Sequence, residues 1–216
     1  MQTFRDYYAR RGIYVIPGLN NEETTQTQTT VIQDNPDSGA KIELEYTIFA
    51  ELADVRCLNT AFKIEEQEQW RIPLAIDNNV RARIRCTNGR EWEFTTKETS
   101  DEWAGNKEVT TVIDKDQFNA LKIVACDGYL KHRHFFRCDN SDLVWEVDVF
   151  KSKLSGKPHL WVKMDLEVKS LDDEIPKPPF KVTDFILGDR DGLPVSQRAK
   201  IKSLWEDEWS RLDEKT

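Results

Sequence analysis

The chain has 216 residues, of which 38% are hydrophobic and 10% aromatic, and this is enough apolar material for one large packed domain or two small ones. Its net charge of −8 argues against a duplex-DNA partner, because proteins that bind duplex DNA gain affinity from basic side chains that neutralise phosphates. The sequence has no apolar run of membrane-spanning length and no signal peptide at its start, so we expect a cytoplasmic protein with no membrane partner. Its four cysteines form no CxxC motif, so we expect reduced thiols and no structural zinc.

The chain divides into two unequal parts. Residues 1–39 contain a short amphipathic piece followed by a polar stretch punctuated by Pro and Gly, which predicts an N-terminal extension and linker. Residues 40–216 are predicted to form one domain, in which strand patterns dominate from 41 to 170. Two of these strands flank Asn88-Gly89, the residue pair favoured in the type I′ turns of hairpins.

Two helices are predicted among the strands and after them. The segment DKDQFNALKIV has aspartates at its start and apolar residues at helical spacing, which predicts a short helix. The tail from 194 to 216 predicts a packed terminal helix, because five of its apolar residues share one helical stripe: Ile201, Leu204, Trp205, Trp209 and Leu212.

Charged side chains recur at every second position on several predicted strands. Alternate side chains on a strand share one face, so each of these strands has one charged face and one apolar face. Such strands can close into a barrel around a charged, water-filled interior, or they can form an open sheet with one solvent face, and periodicity alone favours neither. The alternating charges are Glu43 and Glu45; Arg81, Arg83 and Arg85; Lys131 and Arg133; Glu146 and Asp148; and Asp165 and Glu167.

A charged interior would constrain the ligands that it can hold. Carboxylates at close range raise one another's pKa unless a divalent cation compensates their charge, and Mg²⁺ or Mn²⁺ suits an all-oxygen site of this kind. Arginines and lysines on facing strands likewise repel one another unless a polyanion lies between them, and phosphate oxygens are apt partners for guanidinium donors. Acidic strands combined with basic strands therefore suggest a metal-bridged oligophosphate.

The order of the charged strands resembles the CYTH domain of the triphosphate tunnel metalloenzymes. IELEYTIF is similar to the opening ExExK signature of that family, and RIRCTNGREWEFTTK is similar to its RxR strand and the following TxK strand. LKHRHFF resembles the family's KxR strand, WEVDVF its WEIDxF strand and DLEVKS its late ExE strand. The resemblance covers about residues 41–200.

This resemblance implies an α+β fold, namely an antiparallel eight-stranded β-barrel that forms a tunnel, with flanking helices. It implies a metal-dependent phosphohydrolase whose partner is a triphosphate-bearing small molecule or nucleotide, either inorganic triphosphate or a nucleoside or organic triphosphate, with Mg²⁺ or Mn²⁺ as cofactor. The metal ligands would be Glu43, Glu45, Asp148, Asp165 and Glu167. The substrate phosphates would be held by Arg83, Arg85, Lys97, Lys131 and Arg133, of which Lys97, Lys131 and Arg133 would be catalytic.

The sequence departs from the family pattern in three places. Thr47 stands where the signature has lysine, Asp165 replaces the usual glutamate, and NKEVTT has only Glu108 where the family alternates glutamates. Loss of a lysine beside the phosphates can lower the rate or change the substrate. It also leaves open a second interpretation, a non-hydrolytic nucleotide- or polyphosphate-binding module of the same fold.

Two further features are interpreted as structural. His132 and His134 alternate with Lys131 and Arg133, so we expect both histidines on the opposite face of that strand, in surface or packing roles. The segment GDRDG at 188–192 lacks the remaining oxygen ligands of a calcium loop, so we expect it to be a solvent turn.

Overall fold

The computed structural model describes residues 40–74, 79–100, 104–139, 141–151 and 161–187, together with Ser196, Ala199, Ser203 and Leu204. All of these residues belong to the second of the chain's two units, residues 34–216. The predicted extension and linker at 1–39 and the predicted turn at 188–192 lie outside the described residues, so both stay predictions.

Between residues 40 and 187, the described residues form nine strands, one α-helix and one 3-10 helix. The 3-10 helix (Val55–Thr60) follows the first strand, and the α-helix, α1 (Lys115–Val124), follows the fifth. The strands are β1 (Lys41–Leu52), β2 (Lys63–Ile72), β3 (Val80–Thr87), β4 (Glu91–Thr99), β5 (Asn106–Ile113), β6 (Asp127–Arg137), β7 (Val144–Phe150), β8 (Trp161–Val168) and β9 (Val182–Leu187).

Eight of the strands close into an antiparallel barrel. They follow the order β5-β4-β3-β2-β6-β7-β8-β1, and β1 pairs back onto β5 through Glu43 opposite Asn106 and Lys41 opposite Glu108. The ninth strand, β9, pairs with a later part of β1, from Ile48 to Leu52. The fold prediction of an eight-stranded antiparallel barrel is therefore confirmed, and the open sheet that periodicity allowed is not formed.

A glycine just before β5 allows the backbone there to lie close to the backbone of β1, where the two strands close the barrel. Gly105 has a φ of +85°, and a Cβ placed on it would lie 2.5 Å from the carbonyl oxygen of Glu43. A side chain at this position would therefore separate the two strands or strain the backbone. The seam that turns the sheet into a barrel thus depends on a residue without a Cβ.

The predicted hairpin joins β3 to β4. Asn88 and Gly89 have φ values of 52° and 69°, the positive values that a type I′ turn needs at both central residues. The turn is also fastened to β2, since the Asn88 amide donates to the Glu66 carbonyl at 2.8 Å and the Asn88 side chain accepts from the Glu66 amide at 3.0 Å.

The apolar faces of β1, β7 and β8 point away from the barrel interior and form the larger core. Tyr46, Trp145 and Met164 are at most 1% exposed there, and Phe180 and Val182 from the C-terminal part of the chain cover them. Each fully buried side chain of this size contributes about 1.5–3 kcal/mol to folding. The strands therefore gain their stability on the outer face and leave the inner face free for polar side chains.

Helix α1 covers the outer face of β3 and matches the predicted helix. Phe118 packs with Ile84 and Ala82 in a second, smaller apolar cluster. Asp114 and Gln117 form a capping box, in which each side chain accepts from the other residue's backbone amide, at 2.8 and 2.9 Å. The aspartate at the helix start thus satisfies amides that would otherwise lack partners.

The predicted terminal helix lies largely outside the described residues. Ser196, Ala199, Ser203 and Leu204 are helical, and Leu204 packs against the larger core, but the remainder of the predicted stripe stays a prediction. In the part of the chain that the structure describes, no helix has the length and apolar character needed to cross a membrane.

Candidate active site in the barrel interior

All ten residues predicted as metal ligands or phosphate-binding groups lie on the inner faces of the barrel strands. The strand register aligns them in rows: Arg83 lies opposite Thr95, Arg133 opposite Asp148, and Glu45 opposite Glu167. Their neighbours in sequence, such as Ile84 and Tyr46, belong to the outer cores. The closed barrel therefore brings the charges of separate strands together in one interior.

A buried ion-pair network joins β6 and β7. Arg133 donates from Nε to Asp148 Oδ1 at 2.7 Å and from Nη2 to Oδ2 at 2.9 Å, while its Nη1 contacts Glu146. Lys131 also contacts Asp148, whose side chain is fully buried. Burial would raise the pKa of Asp148, but Arg133 and Lys131 hold it far below its usual value. Burial and the neighbouring Arg133 lower the pKa of Lys131 to about 7.

A second cluster lies where β4 and β5 meet β1. Lys97 contacts Glu43 and lies 3.0 Å from Glu108 Oε2, and Arg83 Nη2 lies 3.7 Å from the same oxygen. Burial and the adjacent Glu45 raise the pKa of Glu43 to about 7 although Lys97 opposes the shift. Arg83 Nε is buried and has no hydrogen-bond partner among the described residues. The cluster therefore holds a donor that is free for a ligand.

The other arginine of the RxR strand already has a close partner. Arg85 donates from Nε and Nη2 to Glu93 Oε2, at 3.1 and 2.7 Å. Glu93 lies opposite Arg85 in the β3–β4 register. A phosphate that used Arg85 would therefore have to compete with Glu93, whereas one that used Arg83 would meet weaker competition.

Carboxylates gather on β1 and β8, and we call Glu43, Glu45, Asp165 and Glu167 the carboxylate patch. Glu45 is at its centre, because it shares the inner face of β1 with Glu43, lies opposite Glu167 and is diagonal to Asp165. The Thr47 hydroxyl donates to Asp165 Oδ1 at 2.8 Å and lies 3.3 Å from Glu45 Oε1. The carboxylate of Glu45, whose side chain is 15% exposed, and the buried carboxylate of Asp165 are therefore close neighbours.

Cations from several strands act on the carboxylate patch. Burial opposes the ionisation of Glu45, but Lys163, Lys97 and Arg133 lower its pKa to about 2. Arg83 of β3 contributes to the same shift, although β3 lies on the opposite side of the barrel from β8. A charge on the facing wall of the barrel therefore also favours the ionised form of Glu45.

The carboxylate patch offers the type of ligand that Mg²⁺ or Mn²⁺ binds. Its donors are all carboxylate oxygens, which hard divalent cations prefer. However, within the described ranges no group of three or more His, Cys, Asp or Glu side chains is gathered closely enough to hold a metal ion. Each predicted ligand instead contacts a cationic side chain: Glu43 with Lys97, Glu45 and Asp165 with Lys163, Asp148 with Lys131 and Arg133, and Glu167 with Lys41. The donor chemistry fits the metal, and a bound metal would displace some of these contacts.

The structure separates the predicted metal ligands into two places. Glu43, Glu45, Asp165 and Glu167 share the carboxylate patch, whereas Asp148 is held between Lys131 and Arg133. Glu167 is the most accessible of the five, since its side chain is 47% exposed.

Several interior residues were not predicted from the sequence. Lys163 has the clearest signal, because it precedes Asp165 by two positions and so shares its face. Glu93 precedes Lys97 by four positions, so it shares one face of β4 with Thr95 and Lys97. The alternation that identified the other charges would have found both residues, whereas their ion-pair partners depend on the register between strands.

The two histidines of β6 lie on the outer face, as predicted. His134 is buried, its Nδ1 lies 3.3 Å from the Leu58 carbonyl oxygen, and burial lowers its pKa. His132 Nε2 lies 3.3 Å from Glu66 Oε2. Neither histidine enters the barrel interior.

Comparisons with known proteins give structural matches only. No protein-family model matches the sequence, and no curated protein matches it. Two crystal structures of NE1496 are similar to this chain, one described as a hypothetical protein and the other as an inorganic triphosphatase. Each has a TM-score of 0.44 and 20% sequence identity, and each match covers 69% of this chain. The matches cover 95% of the first NE1496 chain and 92% of the second. A putative adenylate cyclase from Bacillus halodurans has a TM-score of 0.44 and 14% identity over 61% of this chain and 83% of its own.

The strand pairings themselves define the class of the protein. Eight antiparallel strands close around an interior lined by acidic and basic side chains, and the apolar faces of the strands point outward. This is a charged β-tunnel, the architecture that the resemblance to the CYTH domain implies. The fold expected from that resemblance is confirmed.

Proposed function

We propose that the barrel interior binds a triphosphate together with Mg²⁺ or Mn²⁺ and hydrolyses it. One observation carries the proposal: inside one closed barrel, cations from other strands reach the carboxylate patch of β1 and β8, since Lys97 of β4 contacts Glu43 and Arg133 of β6 lies 3.6 Å from Asp165. A polyphosphate and its metal have the complementary arrangement, because the phosphate oxygens are negative and the metal is positive.

Of the cations Arg83, Lys97 and Arg133, Arg83 can donate hydrogen bonds to a phosphate with the smallest loss of existing ion pairs. Its Nε has no partner among the described residues, and its ion pair with Glu108 is long, at 3.7 Å. A guanidinium group binds two phosphate oxygens in parallel, so Arg83 can hold a phosphate without breaking a short ion pair. Lys97 and Arg133, in contrast, would exchange a carboxylate partner for a phosphate oxygen.

The metal would be held by Glu45 and Asp165, and Glu43 or Glu167 would have to move closer to become a further ligand, because no three acidic side chains of the described residues are gathered closely enough to hold a metal. Bound there, it would polarise the phosphoryl oxygens. The chain's own cations would orient the phosphates and stabilise the negative charge that grows on them in the transition state. That second role is the one we propose for Lys97, Lys131 and Arg133.

The test is an assay of phosphate release from tripolyphosphate, ATP, GTP and thiamine triphosphate, each with Mg²⁺, with Mn²⁺ and with a chelator. We expect at least one substrate to be hydrolysed with a divalent metal and not with the chelator. Asp165→Asn should abolish the activity, because it removes a charged metal ligand. Lys151→Gln, on the outer face, is the matched control and should be active.

The alternative is a tunnel that binds a nucleotide or polyphosphate without turnover. It is favoured by one observation, that every predicted metal ligand already contacts a lysine or arginine. A folded protein that binds tripolyphosphate in calorimetry but releases no phosphate with either metal would exclude hydrolysis and support this alternative.

A further inference from the structure

Lys163 is an interior cation that belongs to none of the motifs identified in the sequence. It lies on the inner face of β8, where its Nζ contacts Asp165 Oδ2 and lies 4.0 Å from Glu45 Oε1. Its side chain is 25% exposed, so the ammonium group is largely withdrawn from bulk water. Lys163 is therefore positioned on the two carboxylates at the centre of the carboxylate patch.

Thr47 approaches the same two carboxylates. Its hydroxyl donates to the second oxygen of Asp165, Oδ1, at 2.8 Å and lies 3.3 Å from Glu45 Oε1. The Glu45–Asp165 pair is thus contacted by the neutral hydroxyl of Thr47 and the ammonium group of Lys163, and Asp165 also lies 3.6 Å from the Arg133 guanidinium. Because the hydroxyl brings no charge, the ammonium of Lys163 is the positive charge that lies against both neighbouring carboxylates.

The other interior cations are engaged elsewhere. Lys97 contacts Glu43 and Glu108. Arg133 reaches Asp165 at 3.6 Å, but its Nε and Nη2 are hydrogen-bonded to Asp148. Among the described ion pairs, Lys163 is the one cation that contacts both Glu45 and Asp165.

A divalent metal and an ammonium group would compete for these oxygens. Both interact with carboxylates through positive charge, and two cations cannot share the same two carboxylates at close range without strong repulsion. A metal that binds to Glu45 and Asp165 must therefore displace the ammonium group of Lys163.

We propose that Lys163 is a built-in counter-cation of Glu45 and Asp165, which competes with the divalent metal and so sets the metal affinity of the tunnel. The inference rests on the proposed function only in placing a metal at these two carboxylates. In the absence of metal, Lys163 is paired with both carboxylates. A higher metal concentration is then needed to occupy the tunnel than the carboxylates alone would require.

The test is a Mn²⁺ titration of the 216-residue chain, without substrate, by calorimetry and by the loss of the free-Mn²⁺ signal in electron paramagnetic resonance. Lys163→Met keeps the length of the side chain and removes its charge, and we expect it to tighten Mn²⁺ binding by at least about tenfold. Lys163→Arg keeps the charge and should bind Mn²⁺ as weakly as the unmodified protein. Lys151→Met, which removes a lysine that contacts Glu66 on the outer face, should change nothing.

Two controls keep the outcomes distinct. Circular dichroism should show that the Met variant is folded; if it is not, Lys163→Gln takes its place. Adding Asp165→Asn to the Met variant should abolish the gain in affinity, because the gain arises at that carboxylate. The proposal would be overturned if the folded Lys163→Met or Lys163→Gln variant bound Mn²⁺ no more tightly than the unmodified protein. It would also be overturned if none of the proteins bound Mn²⁺. This test measures Mn²⁺ affinity and not turnover, so its result does not depend on whether the protein hydrolyses a triphosphate.

Discussion

The two faces of strand β8 have opposite physical roles. Met164 and Leu166 are buried in the larger apolar core on the outer face, where close packing stabilises the barrel. Lys163 and Asp165 alternate with them on the inner face, where burying two charges costs hydration energy that their mutual attraction repays incompletely. The outer face therefore explains why the barrel folds, and the inner face is better explained by a ligand than by stability.

The largest effect on stability is expected on the outer face. Trp145 is fully buried, and its indole NH donates to the Pro176 carbonyl at 3.2 Å. Trp145→Ala should lower the free energy of unfolding by about 3–5 kcal/mol, because it removes apolar contacts and leaves a cavity. Urea denaturation checks this, with Trp145→Phe as the conservative control. A loss below about 1 kcal/mol would contradict the assignment of this face as the stabilising core.

Breaking a buried ion pair on the inner face should also destabilise the protein, but for an electrostatic reason. Asp148→Asn leaves Lys131 and Arg133 without the carboxylate that both contact. We expect a loss of about 3 kcal/mol, since uncompensated buried charge is strongly unfavourable. Adding Lys131→Met to Asp148→Asn should recover part of that loss in the same urea denaturation. If the double variant is no more stable than the single one, packing and not charge determines the cost.

Arg83→Gln should separate function from stability. Because Arg83 makes one long ion pair among the described residues, its replacement should change the free energy of unfolding by less than about 1 kcal/mol. The affinity for tripolyphosphate should nevertheless fall by about tenfold to a hundredfold, measured by calorimetry, because a charge-assisted phosphate contact is lost. Arg90→Gln, at the exposed hairpin turn, is the matched control. Equal affinities in the two variants would place the ligand away from Arg83.

The smallest effect is expected from pH on the outer face. Burial lowers the pKa of His134 below its ordinary value of 6.5, so the unfolded chain binds a proton there more readily than the folded protein. Above that pH the residue contributes no pH dependence, and below it stability falls with falling pH. Replacing His134 by Gln should reduce the loss of stability between about pH 7.5 and about pH 5.5 by up to about 1 kcal/mol.

The control for this titration changes the neighbouring histidine. His132 contacts Glu66 and has no bond to the Leu58 carbonyl. His132→Gln should therefore keep the part of the pH dependence that comes from His134. A pH dependence that is identical with and without His134 would show that burial does not disfavour its charged form.

Alternation in the sequence predicted the strands and the inner positions of the charges, because it follows directly from the geometry of a strand. It could not predict closure, since an open sheet has the same alternation; closure needed the pairing of Glu43 with Asn106 and the close approach at Gly105. It also could not pair Arg85 with Glu93 or Lys163 with Asp165, because ion pairs depend on register and rotamers.

The most direct test of the central claim is a crystal structure of the chain grown with tripolyphosphate and Mn²⁺. The account predicts a phosphate on the guanidinium group of Arg83, Mn²⁺ bound to Glu45 and Asp165, and Lys163 displaced from both carboxylates. A triphosphate bound outside the barrel, with the interior ion pairs unchanged, would contradict the claim that the inner face is the functional site.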